Sequence, residues 1–240
     1  LIAWKTLRTV CLVLLLIPIV HLVYLVSRDT LASLNSSPEA WAVEVDAYVR
    51  EDRTSKLPSD PIVVIGGRRV KLWRGLADIM APRPVLMRGL GEATVDDLVH
   101  HYERLVAFYQ PDTVVVLPSN SEFHIRANKD AESVVRSIRE LIQLDTSMAD
   151  TRRFVIITPI KTPLYPADVP VIDEAFALLQ TMARKHDHVS VLNANSLLSR
   201  PDGMPNPAYY RADGVNLNEH GYLRLSVLLQ TELDKHSPPG

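Results

Sequence analysis

Five short apolar runs, each followed by a helical segment, constrain this chain more than any other feature. Residues 62–65, 84–88, 113–117, 153–158 and 189–193 read as strands. Residues 70–79, 94–109, 129–145, 169–185 and 218–235 read as helices. Runs rich in Val and Ile without polar alternation are strands buried on both faces. Their alternation with helices predicts a parallel sheet of five strands covered on each side, a three-layer α/β/α sandwich. Residues 39–52 add a leading helix, with Trp41, Val43, Val45, Tyr48 and Val49 on or near one face. Residues 158–170, rich in Thr and Pro, read as a long loop after the fourth strand.

The first strand stops at Gly66-Gly67-Arg68-Arg69, and Val70-Lys71-Leu72-Trp73 follows. A turn at the carboxyl end of such a strand is where α/β proteins place their chemistry. Here it holds two arginines and no nucleophile.

Ahead of this domain, residues 10–26 are almost wholly apolar. With its flanks the run reaches about 20 residues, the length of a bilayer span. Lys5 and Arg8 precede it, which favours a cytoplasmic N-terminus. Trp4 and Tyr24 stand near its two ends, where amphipathic aromatics sit. A cleaved signal peptide is the competing reading, but no small-x-small cleavage site follows the run. The expected layout is therefore an anchor over 1–28, a linker over 29–38 and a domain over 39–240. Pro18 is tolerated in a membrane helix. His21 reads as a neutral imidazole near the headgroups rather than a haem or interhelical contact.

Past residue 28 the chain has 23 basic and 28 acidic side chains, a net charge of −5. A mildly acidic domain is a poor nucleic-acid binder. The single cysteine, Cys11, excludes a disulfide framework and a cysteine-rich metal site. His100-His101 and His186-x-His188 read as solvated helix-end residues, and no metal or cofactor is expected.

From about residue 39 to residue 235 the order of segments, with four short blocks, resembles the SGNH (GDSL-type) hydrolases. These are esterases, lipases and deacetylases with a flavodoxin-like α/β/α layout. The branch with an N-terminal anchor and a G-x-S-x-x-x-L-W first block is the most similar. Each block departs at the residue that matters. Gly66-Gly67-Arg68 stands where the family has Gly-Asp-Ser, so the nucleophile position is Arg68, with Leu72-Trp73 keeping register. Gly89-Leu90-Gly91-Glu92 stands for G-x-G-G, which puts Glu92 at an oxyanion-donor position. Pro111-Asp112-Thr113-Val114-Val115 is retained before Ser119-Asn120-Ser121-Glu122. There Ser121 replaces the oxyanion asparagine, and Asn120 lies one place off. Asp213-Gly214-Val215-Asn216-Leu217-Asn218-Glu219-His220-Gly221-Tyr222 matches the fourth block except that Asn216 replaces the histidine. Asp213 is left with nothing to orient.

A guanidinium offers no lone pair for attack, and a carboxamide does not shuttle protons near neutral pH. The resemblance thus implies a pseudoenzyme. The family geometry brings Arg68 and Glu92 to one mouth, where a salt bridge across the former pocket is expected; the competing reading points both into water. A relocated pair drawn from Ser119 or Ser121 with His124 or His220 is a minor alternative. Arg68, Arg69, Asn120 and Ser121 are candidate ligand residues, on the chance that the turn holds an anion. Tyr209-Tyr210 reads as rim packing. The expected role is a single-pass protein of a bacterial cytoplasmic membrane, with its domain on the extracytoplasmic side. It would contact lipid through the anchor and serve as an accessory or scaffold subunit beside other membrane proteins. A periplasmic ester hydrolase or O-acyltransferase, and an anion- or glycan-binding module, are the alternatives.

Overall fold

The structure is a computed structural model that describes residues 4–34, 37–124 and 127–235. The chain forms two compact units, residues 1–36 and 37–240.

The first unit is one helix, α1 (Trp4–Leu34), with Pro18 inside it. From Ile19 to Leu34 there is neither glycine nor proline, so nothing stops the helix at residue 29. It runs through most of the stretch expected as a linker; residues 35 and 36 lie outside the described residues. The side chains described are Arg8 and residues 11–27, all exposed, Pro18, His21 and Tyr24 among them. The side chain of Trp4 lies outside that set. Among the described residues no helix is long and apolar enough to cross a membrane. The run with described side chains, residues 11–27, falls just short of the roughly 20 residues a span takes.

The second unit opens with a 3₁₀ turn, Pro38–Trp41, and α2 (Ala42–Asp52). Then come β1 (Ile62–Gly66), α3 (Arg68–Leu72), α4 (Leu76–Met80) and β2 (Val85–Gly89). After them run α5 (Val95–His100), α6 (Tyr102–Leu105), β3 (Thr113–Leu117) and α7 (Ala131–Met148). The unit ends with β4 (Arg153–Ile157), α8 (Val169–Ala183), β5 (Val189–Leu192), α9 (Asn195–Leu198) and α10 (Glu219–Asp234).

Two helices expected as single pieces are broken. The 70–79 segment is α3 plus α4, because Gly75 takes φ +80° and resets the chain direction. The buried Trp73 at the break donates its indole N–H to Ser226 Oγ at 2.9 Å. The 94–109 segment stops at His101, whose ring nitrogen bonds the Pro38 carbonyl at 2.8 Å. It stops again at Val106, with φ −133°. His101 is thus buried and bonded, not the solvated residue expected.

All five strands are parallel, in the order β2-β1-β3-β4-β5. The reason lies in the runs themselves. Val63, Ile65, Val114, Val116, Phe154 and Ile156 face a layer that includes α2, α5, α7 and α8. Ile62, Val64, Val115, Leu117, Val155 and Ile157 face the opposite layer, built from α3, α4, α9 and α10. Alternate residues are buried on opposite sides, so the strands carry no polar period.

The chain leaves β1 for the edge strand β2, then returns past β1 to β3. That reversal opens a crevice beyond the carboxyl ends of β1 and β3. The leading helix α2 is pinned beside β2 by Arg88. Its guanidinium pairs with Asp52 at 2.7 Å, both nearly fully buried, and donates to Tyr109 Oη at 2.8 Å.

Candidate functional site

The crevice is floored by the end of β1 and walled by the turns after β2 and β3. A Cβ at Gly67 would sit 2.7 Å from the Ser119 Cβ and 3.3 Å from the carbonyls of Gly91 and Ala93. Only a glycine lets the three turns approach this closely. The packing sets the residues on either side of Gly67, Glu92 and Ser119 close together.

Arg68, first residue of α3, extends over the mouth. Its Nε donates to Glu92 Oε1 at 2.5 Å. The other oxygen, Glu92 Oε2, accepts from Ser121 Oγ at 3.2 Å. Three of the four replaced positions are thus one hydrogen-bonded chain across the crevice, and the salt bridge expected from the sequence is present. Arg68 is 53% exposed and Glu92 33%, so the pair contributes only about 0–1 kcal/mol to stability. Its effect is occupancy. A guanidinium and a carboxylate lie together across the mouth of the crevice.

The fourth position corrects the sequence reading. Asp213 is not idle. Its Oδ2 accepts from Asn216 Nδ2 at 2.8 Å, and its Oδ1 accepts from the backbone N–H of Val215 and of Asn216, each at 2.8 Å. Burial acts to raise the Asp213 pKa, but these bonds and the Arg211 charge outweigh it and hold the carboxyl below its ordinary value. Asn216 is thus held by the Asp213 carboxylate through both its side chain and its backbone N–H.

Arg69 is the larger departure. A candidate ligand residue by sequence, it is only 4% exposed. Its Nη2 donates to the Val215 carbonyl at 2.8 Å, while Nε and Nη1 are buried with no partner among the described residues. Burial pushes its pKa down, against the fields of Tyr210, Tyr222, Glu92 and Asp213. Tyr222 donates its hydroxyl to the Arg69 carbonyl at 3.0 Å. Tyr210 is buried and bonds the Lys161 carbonyl, whereas Tyr209 lies under Arg224 at 4.4 Å, as rim packing predicts.

On the β3 side, a 3₁₀ turn spans Asn120–Glu122. Ser119 Oγ caps it, accepting from Ser121 N at 3.0 Å. Asn120 is buried and, among the described residues, its side chain reaches only the Ile160 carbonyl at 3.5 Å and leaves Oδ1 unpartnered. Glu122 has no exposed surface. It accepts from the Val95 N–H at 2.6 Å and from Lys129 Nζ at 2.8 Å.

Sequence reasoning missed one pair here. His124 Nε2 lies 2.5 Å from Asp168 Oδ2, with the Tyr165 ring 4.0 Å away. The only signal was an acidic residue just before the helical run at 169. No Ser–His bond forms: Ser119 and Ser121 have no histidine partner among the described residues, and His124 uses its carboxylate. Nor do any three His, Cys, Asp or Glu side chains among the described residues gather as metal ligands.

The arrangement places a guanidinium, a carboxylate, a hydroxyl and a carboxamide around the crevice. A triad hydrolase without its nucleophile or base loses on the order of a million-fold, non-additively. Removing an oxyanion donor costs a further hundred- to thousand-fold. Arg68, Asn216 and Glu92 stand at the positions that the family resemblance gives to the nucleophile, the base and an oxyanion donor.

No family model and no curated protein sequence matches the chain. Solved structures do. A GDSL-like lipase from Bacteroides thetaiotaomicron superposes with a TM-score of 0.68 at 15% identity, covering 80% of this chain and 98% of that one. The lipase/acylhydrolase from Enterococcus faecalis gives 0.61 at 18% identity, covering 75% and 98%. A catalytic mutant of an acetylxylan esterase from Geobacillus stearothermophilus gives 0.57 at 15%, covering 75% and 96%. At these identities the likeness is one of fold, that of the SGNH/GDSL hydrolases.

Proposed function

We propose that this chain is a membrane-anchored, catalytically inactive protein of the SGNH hydrolase fold, serving as an accessory or scaffold subunit of a bacterial membrane complex. The observation that carries the reading is the Arg68–Glu92–Ser121 chain filling the crevice, with Asn216 in the histidine position. The anchor rests on the apolar run 10–26 with Lys5 and Arg8 before it. By the positive-inside rule the folded domain is extracytoplasmic. An intact fold with a filled site and a retained anchor leaves binding to neighbouring membrane subunits as its work.

Cell fractionation tests the anchor. Full-length chain is expected in the membrane fraction after alkaline carbonate washing, and a chain starting at residue 37 in the soluble fraction. A full-length chain that washes off would refute it.

A second reading, a periplasmic ester hydrolase or O-acyltransferase with a rearranged site, has one observation in its favour. Ser121 and His124 are the half-buried residues of a turn whose other members, Asn120, Glu122 and Phe123, are buried, and Asp168 already orients the imidazole. Against it, Ser121 is engaged by Glu92. With p-nitrophenyl acetate, wild-type turnover is expected to match the buffer rate and H124A and S121A to change nothing. Turnover lost in both variants would install this reading instead.

A further inference from the structure

We infer that Arg69 is the anchor of an oxyanion-binding site inside the crevice, taking a ligand that carries a carboxylate or phosphate group. This deepens the non-catalytic reading of the crevice and rests on it.

A guanidinium has five N–H groups. In Arg69, Nε carries one and Nη1 two, and none of these three finds an acceptor, although both atoms are buried. Such groups are costly: each buried donor left unpaired forfeits about 1–3 kcal/mol, more when charged. Buried arginines are ordinarily paired with a carboxylate. Here two carboxylates stand within electrostatic range, Glu92 on one side of the crevice and Asp213 on the other. Neither pairs with it. Glu92 is taken by Arg68 and Ser121, and Asp213 by Asn216 and two backbone N–H groups. Tyr210 and Tyr222 flank the guanidinium as neutral phenols, since burial pushes both up to about 12.

The unpaired donors are therefore not a packing accident that a nearby side chain fails to reach. The nearby acids are committed elsewhere, which leaves three of the five N–H groups of a buried positive charge without an acceptor among the described residues. An oxyanion matches that set in charge and in acceptor count, and a neutral sugar hydroxyl does not. The ligand reaches it by displacing the Asp213–Asn216 turn, whose Val215 carbonyl is the one acceptor Arg69 now has and whose residues are exposed or half-buried. Asn120, with an unpartnered Oδ1 of its own at the same strand-end crevice, is available to a donor on the rest of the ligand.

The test uses full-length protein in detergent, with inorganic phosphate, acetate and glucuronate as probes and chloride at matched ionic strength as the control. Equilibrium binding and the unfolding midpoint are read together. Wild type is expected to bind phosphate or one of the carboxylates with a raised midpoint that chloride does not reproduce. Phosphate alone would point to a phosphoester ligand, a carboxylate alone to an acidic glycan, and either supports the site. R69M is expected to bind on the order of a hundredfold more weakly, with a midpoint in chloride equal to or above wild type, because an uncompensated buried charge has been removed. Should R69M fail to fold, R69K decides, since it keeps the charge but not the fork and must bind at least about tenfold more weakly. Equal binding by wild type and variant, or no oxyanion-specific effect, overturns the inference. So does a crystal structure in phosphate and acetate showing only ordered water on Nε and Nη1. Esterase turnover or loss from membranes would instead sink the proposed function, and neither is read in the binding experiment.

Discussion

The triple substitution R68S/E92G/N216H is expected to turn the crevice into an esterase for p-nitrophenyl acetate, on the order of a thousandfold above wild type. The scaffold for the reaction is already in place. Gly66 and Gly67 keep the tight turn that would present a residue-68 hydroxyl at the end of β1. Asp213 already grips residue 216 through Oδ2 at 2.8 Å, so an imidazole there inherits its orienting carboxylate. The obstacle is Glu92, which R68S alone would leave as an unpaired carboxylate beside a developing oxyanion. Hence the third substitution. The single variants R68S and N216H are each expected to stay at the buffer rate, because nucleophile and base act as a unit. The rate should rise with pH through the ordinary imidazole range near 6.5, the neutral ring being the base. Without an oxyanion asparagine the variant should remain a hundred- to thousandfold below a complete site, and adding S121N should recover part of that. A folded triple variant with no turnover would mean the crevice departs from the hydrolase geometry by more than its residues. A wild type as fast as the variant would end the inactive reading.

What the sequence discloses and what it hides follow from the range of the interactions. The strands were legible because each is buried on both faces, and burial on both faces writes a continuous apolar run into five residues. The Arg68–Glu92 bridge was legible because two replacements in separate blocks carry opposite charges. The breaks at Trp73–Gly75 and at His101 were not, since they depend on Ser226 and on the Pro38 carbonyl, distant partners that no local pattern marks. The same holds for His124–Asp168, 44 residues apart, and for the isolation of Arg69. An unpaired guanidinium is a statement about where every neighbouring acceptor has gone, and that needs coordinates. Asp213 was misread for a related reason. Losing the histidine suggested an idle acid, whereas an asparagine carboxamide donates to a carboxylate about as well as an imidazole N–H does.

Lys129→Met is expected to lower the unfolding free energy by about 3–5 kcal/mol at pH 7, measured by denaturant titration. Glu122 has no exposed surface, and Lys129 is its only cationic partner among the described residues, at 2.8 Å. The lysine is also held by Asp96 at 2.9 Å and Ser137 Oγ at 2.9 Å. Burial already raises the Glu122 pKa, with Lys129 pulling it back; removing the lysine leaves burial and the Asp96 charge acting in the same direction. A carboxyl whose folded pKa lies above its unfolded value holds its proton more tightly when folded. Stability then falls as pH rises from about 4.3 through the folded pKa. The deficit of K129M against wild type should thus be largest near neutrality and close as the pH drops below about 4. E122Q/K129M should recover most of the loss at pH 7, because neither charge is then buried and Gln can still accept from the Val95 N–H. This matters for the crevice as well as for the fold. Glu122 ties the turn carrying Ser121 to the first N–H of α5, so K129M should also loosen the Ser121–Glu92 contact and raise amide exchange at Ser121. A cost below about 1 kcal/mol with no pH dependence would mean that Glu122 is protonated in the wild type, and that the lysine contributes packing rather than charge.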